Sequence, residues 1–287
     1  MFIPGITIVF VCVFVIYMIA GGNIMIILAA TPHELGTILG AGIGAMMIGN
    51  TKKVLGELGG GFKKVLAGPT YKKEDFLDLL SLMYMLFKLA KTKGMLALES
   101  HVEEPKESEI FKSFPRLLAD HHIIDFICDY FRMMTMGSDD PNQMEDLINE
   151  ELDVHHKEDH QISGAFSALA DGLPALGIVA AVLGIIKTMA SIDKPPEILG
   201  RMIGSALVGT FLGVFLAYGV VGPIAQNLAA VHDEDAKMLS CIKVGLLAYM
   251  NGFAPAVALE FARKSLMSHQ RPSFYDVEGH VDSLPKI

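Results

Sequence analysis

The chain has 287 residues, of which 52% are hydrophobic and 19% charged. A soluble domain carries about 25% charged residues, so this apolar surplus points to lipid. Lysine and arginine number 23 against 32 acidic residues, a net charge of −9, which argues against a nucleic-acid binder that neutralises phosphates. The three cysteines (Cys12, Cys128 and Cys241) lie far apart, which excludes a disulfide scaffold and gives no zinc-ligand spacing. What remains is a polytopic membrane protein with a substantial water-exposed part.

A transmembrane helix needs about 20 mostly apolar residues to cross about 30 Å of hydrocarbon. Residues 2–20, FIPGITIVFVCVFVIYMIA, carry no charge and form the first span. No basic n-region or small-residue cleavage site marks them as a signal peptide, so the span is retained. The second is interrupted by Pro32, His33 and Glu34, and is placed from near His33 to Gly49. Gly21 to about Pro32 is then a short loop that dips partly into the membrane. Next, Lys52, Lys53, Lys63 and Lys64 interleave with Leu55, Leu58, Phe62 and Leu66 as in an interfacial amphipathic segment, which Gly59-Gly60-Gly61 divides into two short pieces.

Residues 74–92 place Phe76, Leu77, Leu80, Met83, Leu86, Phe87 and Ala90 at three-and-four spacing, one broad apolar face of a helix. Asp140-Pro141 with Gln143 reads as an N-cap, a first-turn proline and a capping-box partner, opening a helix through about His160. The third span runs from about Gly172 to Ser191 and the fourth from about Ile203 to Ala225. A further helix continues inward from the fourth span through residues 231–267. No stretch alternates as a strand would. The fold class is therefore all-α, with four transmembrane helices and a helical cytoplasmic domain. The divisions are 1–50 (spans one and two), 51–167 (large cytoplasmic domain), 168–226 (spans three and four) and 227–287 (cytoplasmic helix and tail).

Orientation follows from the basic residues. Residues 51–167 hold fourteen of the 23 and the stretch after Ala225 holds six, whereas the loop between spans one and two holds none. Both termini and the large loop are thus cytoplasmic and both outer loops short.

Within the spans, Gly36, Gly40 and Gly44 line one face of the second, Gly177 and Ala181 the third, and Gly209, Gly213 and Ala217 the fourth. Small faces let helix backbones approach closely in lipid, where no hydrophobic drive exists between helices. Packing within one bundle explains any one such face; three of them imply that some meet other subunits. Spans one, three and four carry no carboxylate at depth, with Asp171 and Glu34 near the ends. An ion path needs an ionisable group or polar ladder there, so the titrating carboxylate would come from a partner chain. Thr210 is the best-placed polar side chain of the fourth span. Pro174 and Pro223 flank spans three and four, either as tolerated kinks or as hinges, and pattern alone favours kinks. His155, His156, Glu158 and His160 read as a solvated helix end rather than a metal site, and no cofactor is implied. No phosphate-binding glycine loop, GxSxG or nucleophile–base pair supports an enzyme.

Several stretches carry a resemblance. GAGIG at 40–44, GMLALESHVEEPKESEIF at 94–111, DGLPALGIVAA at 171–181, VGTFLG at 208–213, NGFAP at 251–255 and RPSF at 271–274 occur in the order expected of the MotA family, the flagellar stator subunits of the MotA/TolQ/ExbB superfamily. The chain resembles that family over nearly its full length. The resemblance implies a bacterial inner-membrane protein, a homopentamer around a dimer of MotB, whose single span supplies an ionisable aspartate, and torque exerted on the rotor protein FliG. Thr210 and Ala181 match the positions facing that aspartate, and Pro174 and Pro223 match the prolines that couple ion passage to movement. Glu99 matches the acidic residue that engages FliG, and Lys91 stands where the family usually has arginine, keeping the charge without the bidentate fork. The transported ion would be H+, the commoner case, with Na+ as the alternative. Three rivals remain: an ExbB/TolQ-like energiser, which usually has three spans, a passive membrane scaffold, and a self-contained transporter.

Overall fold

The computed structural model describes residues 2–284, and among them every regular element is helical. The chain forms two compact units: Met1–Gly68 with Glu158–Val231, and Pro69–Lys157 with His232–Ile287.

The first unit contains the apolar helices. Helix α1, Phe2–Ile19, includes a π-helical turn at Val11–Val15 for which the sequence offers no physical cause. It docks through rings rather than by a buried face: Phe10 meets Phe215 edge-on at 5.1 Å between centroids, and Phe14 meets Phe211 at 5.9 Å and Phe215 at 5.4 Å. Each such pair is worth about 0.5–1.5 kcal/mol beyond its area.

Helix α2 spans Ile24–Gly49, with Pro32 inside it. This corrects the expected loop over Gly21–Pro32. The Asn23 side chain accepts from Met25 N at 3.0 Å and caps the helix there. Pro32 removes one backbone bond, whereas a loop at that depth would leave several backbone groups unsatisfied in hydrocarbon. Helix is the lower-energy path, and His33 and Glu34 lie inside it.

Helix α3, Lys52–Ala67, runs unbroken through the three glycines instead of dividing. A glycine in a helix costs about 1 kcal/mol against alanine, and packing offsets it at Gly61. A β-carbon there would stand 3.0 Å from Ile162 Cγ2 and 3.1 Å from Leu228 Cδ2. Nearby Val65, Ile224 and Leu228 form a small buried cluster with Phe2 and Phe166 against it.

Residues 140–160 and the third span, separate in the sequence reading, belong to one 49-residue helix, Pro141–Met189; it is α9, since five helices of the second unit, described below, precede it in the chain. The fourth span begins at Pro196, earlier than Ile203, as α10, Pro196–Leu216. It passes through a π-helical turn at Ala217–Val221 into α11, Gly222–Asp235. The core of the membrane unit joins three of these helices: Ala30 and Ile38 from α2, Leu173 and Ala180 from α9, and Val208 and Leu212 from α10.

The second unit is built on α4, Lys73–Lys93. It is buried on more than the one face expected. Leu79, Leu82 and Leu89 join Phe76, Leu80, Met83, Leu86 and Phe87 in the core. The short helices Glu99–Glu103 (α5), Glu109–Lys112 (α6) and Pro115–Leu118 (α7) lead to α8, His121–Thr135, which adds Phe126, Ile127 and Phe131. Helix α12, Lys237–Met250, and α13, Pro255–Lys264, close the far side. The expected continuous helix over 231–267 therefore breaks at NGFAP. Gly252 takes φ +86°, a backbone region that favours glycine, and Pro255 opens the next helix at its first turn. Helix α14, Phe274–Ser283, is capped by Ser273, and Lys73 Nζ donates to Asp276 at 2.9 Å. The Lys73 bond, with those from Ser273, holds the Asp276 carboxyl down at about 2.

Asp75 is a buried carboxylate held by two donors, Lys72 N at 2.8 Å and Arg116 Nη2 at 2.8 Å. Arg116→Ala leaves one carboxylate oxygen short of its partner, so we expect a loss of about 1–3 kcal/mol. A thermal melt of the purified protein followed by circular dichroism reads this, and an unchanged midpoint would refute it.

Candidate functional site

The third and fourth spans approach backbone to backbone. A β-carbon on Gly177 would lie 2.7 Å from the Gly209 carbonyl oxygen and 3.0 Å from Gly213 Cα. One on Gly213 would lie 2.6 Å from the Leu173 carbonyl oxygen. Farther along, one on Gly184 would stand 2.7 Å from Ala206 Cβ. These faces are thus consumed within the chain, as intrachain packing requires. The second span differs: β-carbons on Gly36, Gly40 and Gly44 would meet nothing within 4 Å, while one on Gly42 would meet Leu169 Cδ1 at 2.8 Å.

Gly209 is the point where three helices meet. A β-carbon there would be 3.2 Å from Ala180 Cβ, 3.2 Å from Ala181 N and 2.5 Å from the Glu34 carboxylate. Ala181 is accordingly buried against the fourth span. Thr210, next in sequence, is half-buried and lines an open apolar groove of about 620 Å³ with Val9 and Val13 of α1, Val214 and Phe215 of α10, and Tyr218 of the π-helical turn that follows. The other threonines of the spans return their hydroxyl protons to a carbonyl one turn back: Thr7 to Ile3, Thr31 to Ile27, Thr37 to His33 and Thr188 to Gly184. Among the described residues, the Thr210 hydroxyl has no hydrogen-bond partner.

Pro174 lies inside α9, which continues through it. Pro223 lies one residue beyond the π-helical turn at Ala217–Val221, after Gly222. A proline ring clashes with the carbonyl four residues earlier, and a widened turn relieves that clash.

The two charged residues expected to meet the rotor lie in the second unit. Lys91 is in the last turn of α4 and Glu99 in the first turn of α5, each favourable against its helix dipole. Between them Gly94 ends α4 at φ +87°, donating to the Ala90 carbonyl at 3.0 Å. Both side chains are exposed, and neither forms an ion pair with a described residue. Lys91 borders an open cavity of about 430 Å³ walled by Met95, Met134, Tyr249 and Phe253.

The sequence reading missed Glu34 and Gly209 as neighbours. Its signal was present, an acidic residue in an otherwise apolar stretch, but starting the span near His33 placed Glu34 at its end rather than inside the helix.

A family model described as Motility protein A N-terminal matches residues 3–94, and that of the MotA/TolQ/ExbB proton channel family matches 119–240. Motility protein A of Salmonella typhimurium is 42% identical over 268 residues, covering 93% of this chain and 90% of the relative. The chain belongs to the motility protein A family. It is a flagellar motor stator subunit and a multi-pass inner-membrane protein, and an ExbB/TolQ-like role is not favoured. Chemotaxis protein LafT of Vibrio parahaemolyticus is 34% identical, with 96% of this chain and 95% of the relative covered. The fold is that of the C. jejuni MotAB structure, with TM-score 0.74 at 19% identity over 95% of this chain and 98% of that one.

Proposed function

We propose that the chain assembles as a homopentamer around a dimer of a MotB-like partner, and that the complex passes protons inward while turning a FliG-like rotor protein. The observation that carries the proposal is the unpaired Thr210 hydroxyl on an open groove, one residue from the junction of three spans. An ionised partner aspartate needs a hydrogen-bond donor nearby, and a hydroxyl that has already given its proton to its own helix has none to offer. The unfilled Gly36, Gly40 and Gly44 face leaves room for a neighbouring subunit at close backbone distance. The unpaired Lys91 and Glu99 support a long-range charge contact with the rotor, with both termini on the rotor's side of the membrane.

In this reading, ion binding neutralises the partner aspartate and relaxes contacts near Thr210 and Ala181. The ring then turns or reshapes about the dimer, with Pro174 and Pro223 as hinges. Deleting the gene is expected to leave full-length but motionless flagella, and the intact gene to restore rotation. Normal swimming in a strain without a second stator would refute the role. Pro174→Ala is expected to lower torque in tethered cells without preventing complex formation, and loss of the complex would count against the hinge.

A further inference from the structure

Glu34 is an intramembrane carboxylate of this chain itself. It stands about 16 Å along α2 from the capped end at Asn23, inside the helix rather than at its end. Its oxygen occupies the space that a β-carbon on Gly209 would need. Among the described residues no donor satisfies it, and its sequence neighbour His33 forms no hydrogen bond with it. The third and fourth spans present Ala180, Ala181 and Gly209 there, none of which titrates. A charged side chain inside a membrane span is costly, by up to about 2.5–3.5 kcal/mol on insertion scales. Packing does not require it, since a glutamine of the same shape would fill the same space. Glu34 and the Thr210 hydroxyl are thus two unpaired polar groups at one level of the bundle.

We propose that Glu34 is a second proton-exchanging carboxylate of the ion path, supplied by this chain. It is neutral while packed against Gly209 and gives up its proton to water in the path when the spans move apart. The inference rests on the ion-driven reading above and adds a site to it.

The test uses the full chain co-produced with its membrane partner. Dicyclohexylcarbodiimide reacts with protonated carboxyls in apolar surroundings, and peptide mass spectrometry locates the adduct. Labelling at Glu34 is expected, falling as rising pH ionises the carboxyl. In cells whose rotation the wild-type gene restores, Glu34→Gln should slow low-load rotation on the order of tenfold, as loss of a positioned proton carrier would, while stall torque changes less. Glu34→Asp should retain more of the speed, which a purely structural role would not give. Wild-type low-load speed in Glu34→Gln overturns the proposal. Should that variant fail to assemble, labelling of the wild-type complex decides: an adduct supports the site and its absence overturns it. If the wild-type gene itself restores no rotation, the stator reading has failed instead.

Discussion

Gly213→Val is expected to abolish swimming and to remove the protein from the membrane fraction. The branched side chain must enter a space in which even a β-carbon would lie 2.6 Å from the Leu173 carbonyl oxygen and 2.8 Å from Gly177 Cα. Backbone cannot step aside as a flexible side chain can, so the cost lies at or above the usual overpacking range, about 3 kcal/mol or more. Gly40→Ala is the matched control, since nothing lies within 4 Å of its β-carbon in this chain. Immunoblots of membranes from both strains read the difference. Equal levels, with Gly213→Val swimming normally, would show that the third and fourth spans do not need this contact.

Phe87→Ala is expected to destabilise the second unit by about 3–5 kcal/mol, the range for truncating a buried aromatic. Phe87 is fully buried, stacked on Tyr249 at 4.6 Å with rings 5° from parallel, and 5.9 Å from Phe131. Tryptophan is absent from the chain, so a thiol makes the better probe. Cys128 is buried in the same core, and that burial pushes its thiol up to about 12. The thiolate is the reactive form, so Cys128 stays inert to maleimide at about pH 8 while the core is closed. In Phe87→Ala it should label at least tenfold faster, an increase equivalent to about 1.4 kcal/mol of easier opening. An unchanged Cys128 labelling rate, followed by peptide mass spectrometry, would show that the core closes over the cavity.

The apolar spans were legible because a bilayer demands long uncharged stretches, and α4 because its Phe, Leu and Met recur at helical spacing. Element ends were harder to read. Pro32 and the glycines at 59–61 are breakers by local propensity, yet both stretches are helical. In one case hydrocarbon penalises unpaired backbone, and in the other Gly61 packs against Ile162 and Leu228. NGFAP held the opposite lesson: its glycine and proline do end and restart a helix, though the surrounding apolar residues suggested continuity. Thr210 could be singled out as a polar residue in an apolar span. That its hydroxyl alone among the described span threonines lacks a carbonyl partner required coordinates, as did the contact of Glu34 with Gly209. Both depend on which faces of separate helices meet, and periodicity within a single helix does not contain that. Lys91 and Glu99 owed their selection to the family resemblance, because a solvated helix face has the same local pattern.

The wide turn at Ala217–Val221 has a consequence for angular phase. An α-helix advances about 100° per residue, and a π-turn accommodates one residue more than a regular turn does. Everything after Val221, including the buried Ile224, Ala225 and Leu228, is therefore offset by roughly that angle from where an unwidened helix would have pointed it. The fourth span thus carries a built-in gear offset at Pro223. Its two halves present their apolar sides in directions that one straight helix with this sequence could not combine, and deleting a single residue from the turn would bring them back into phase.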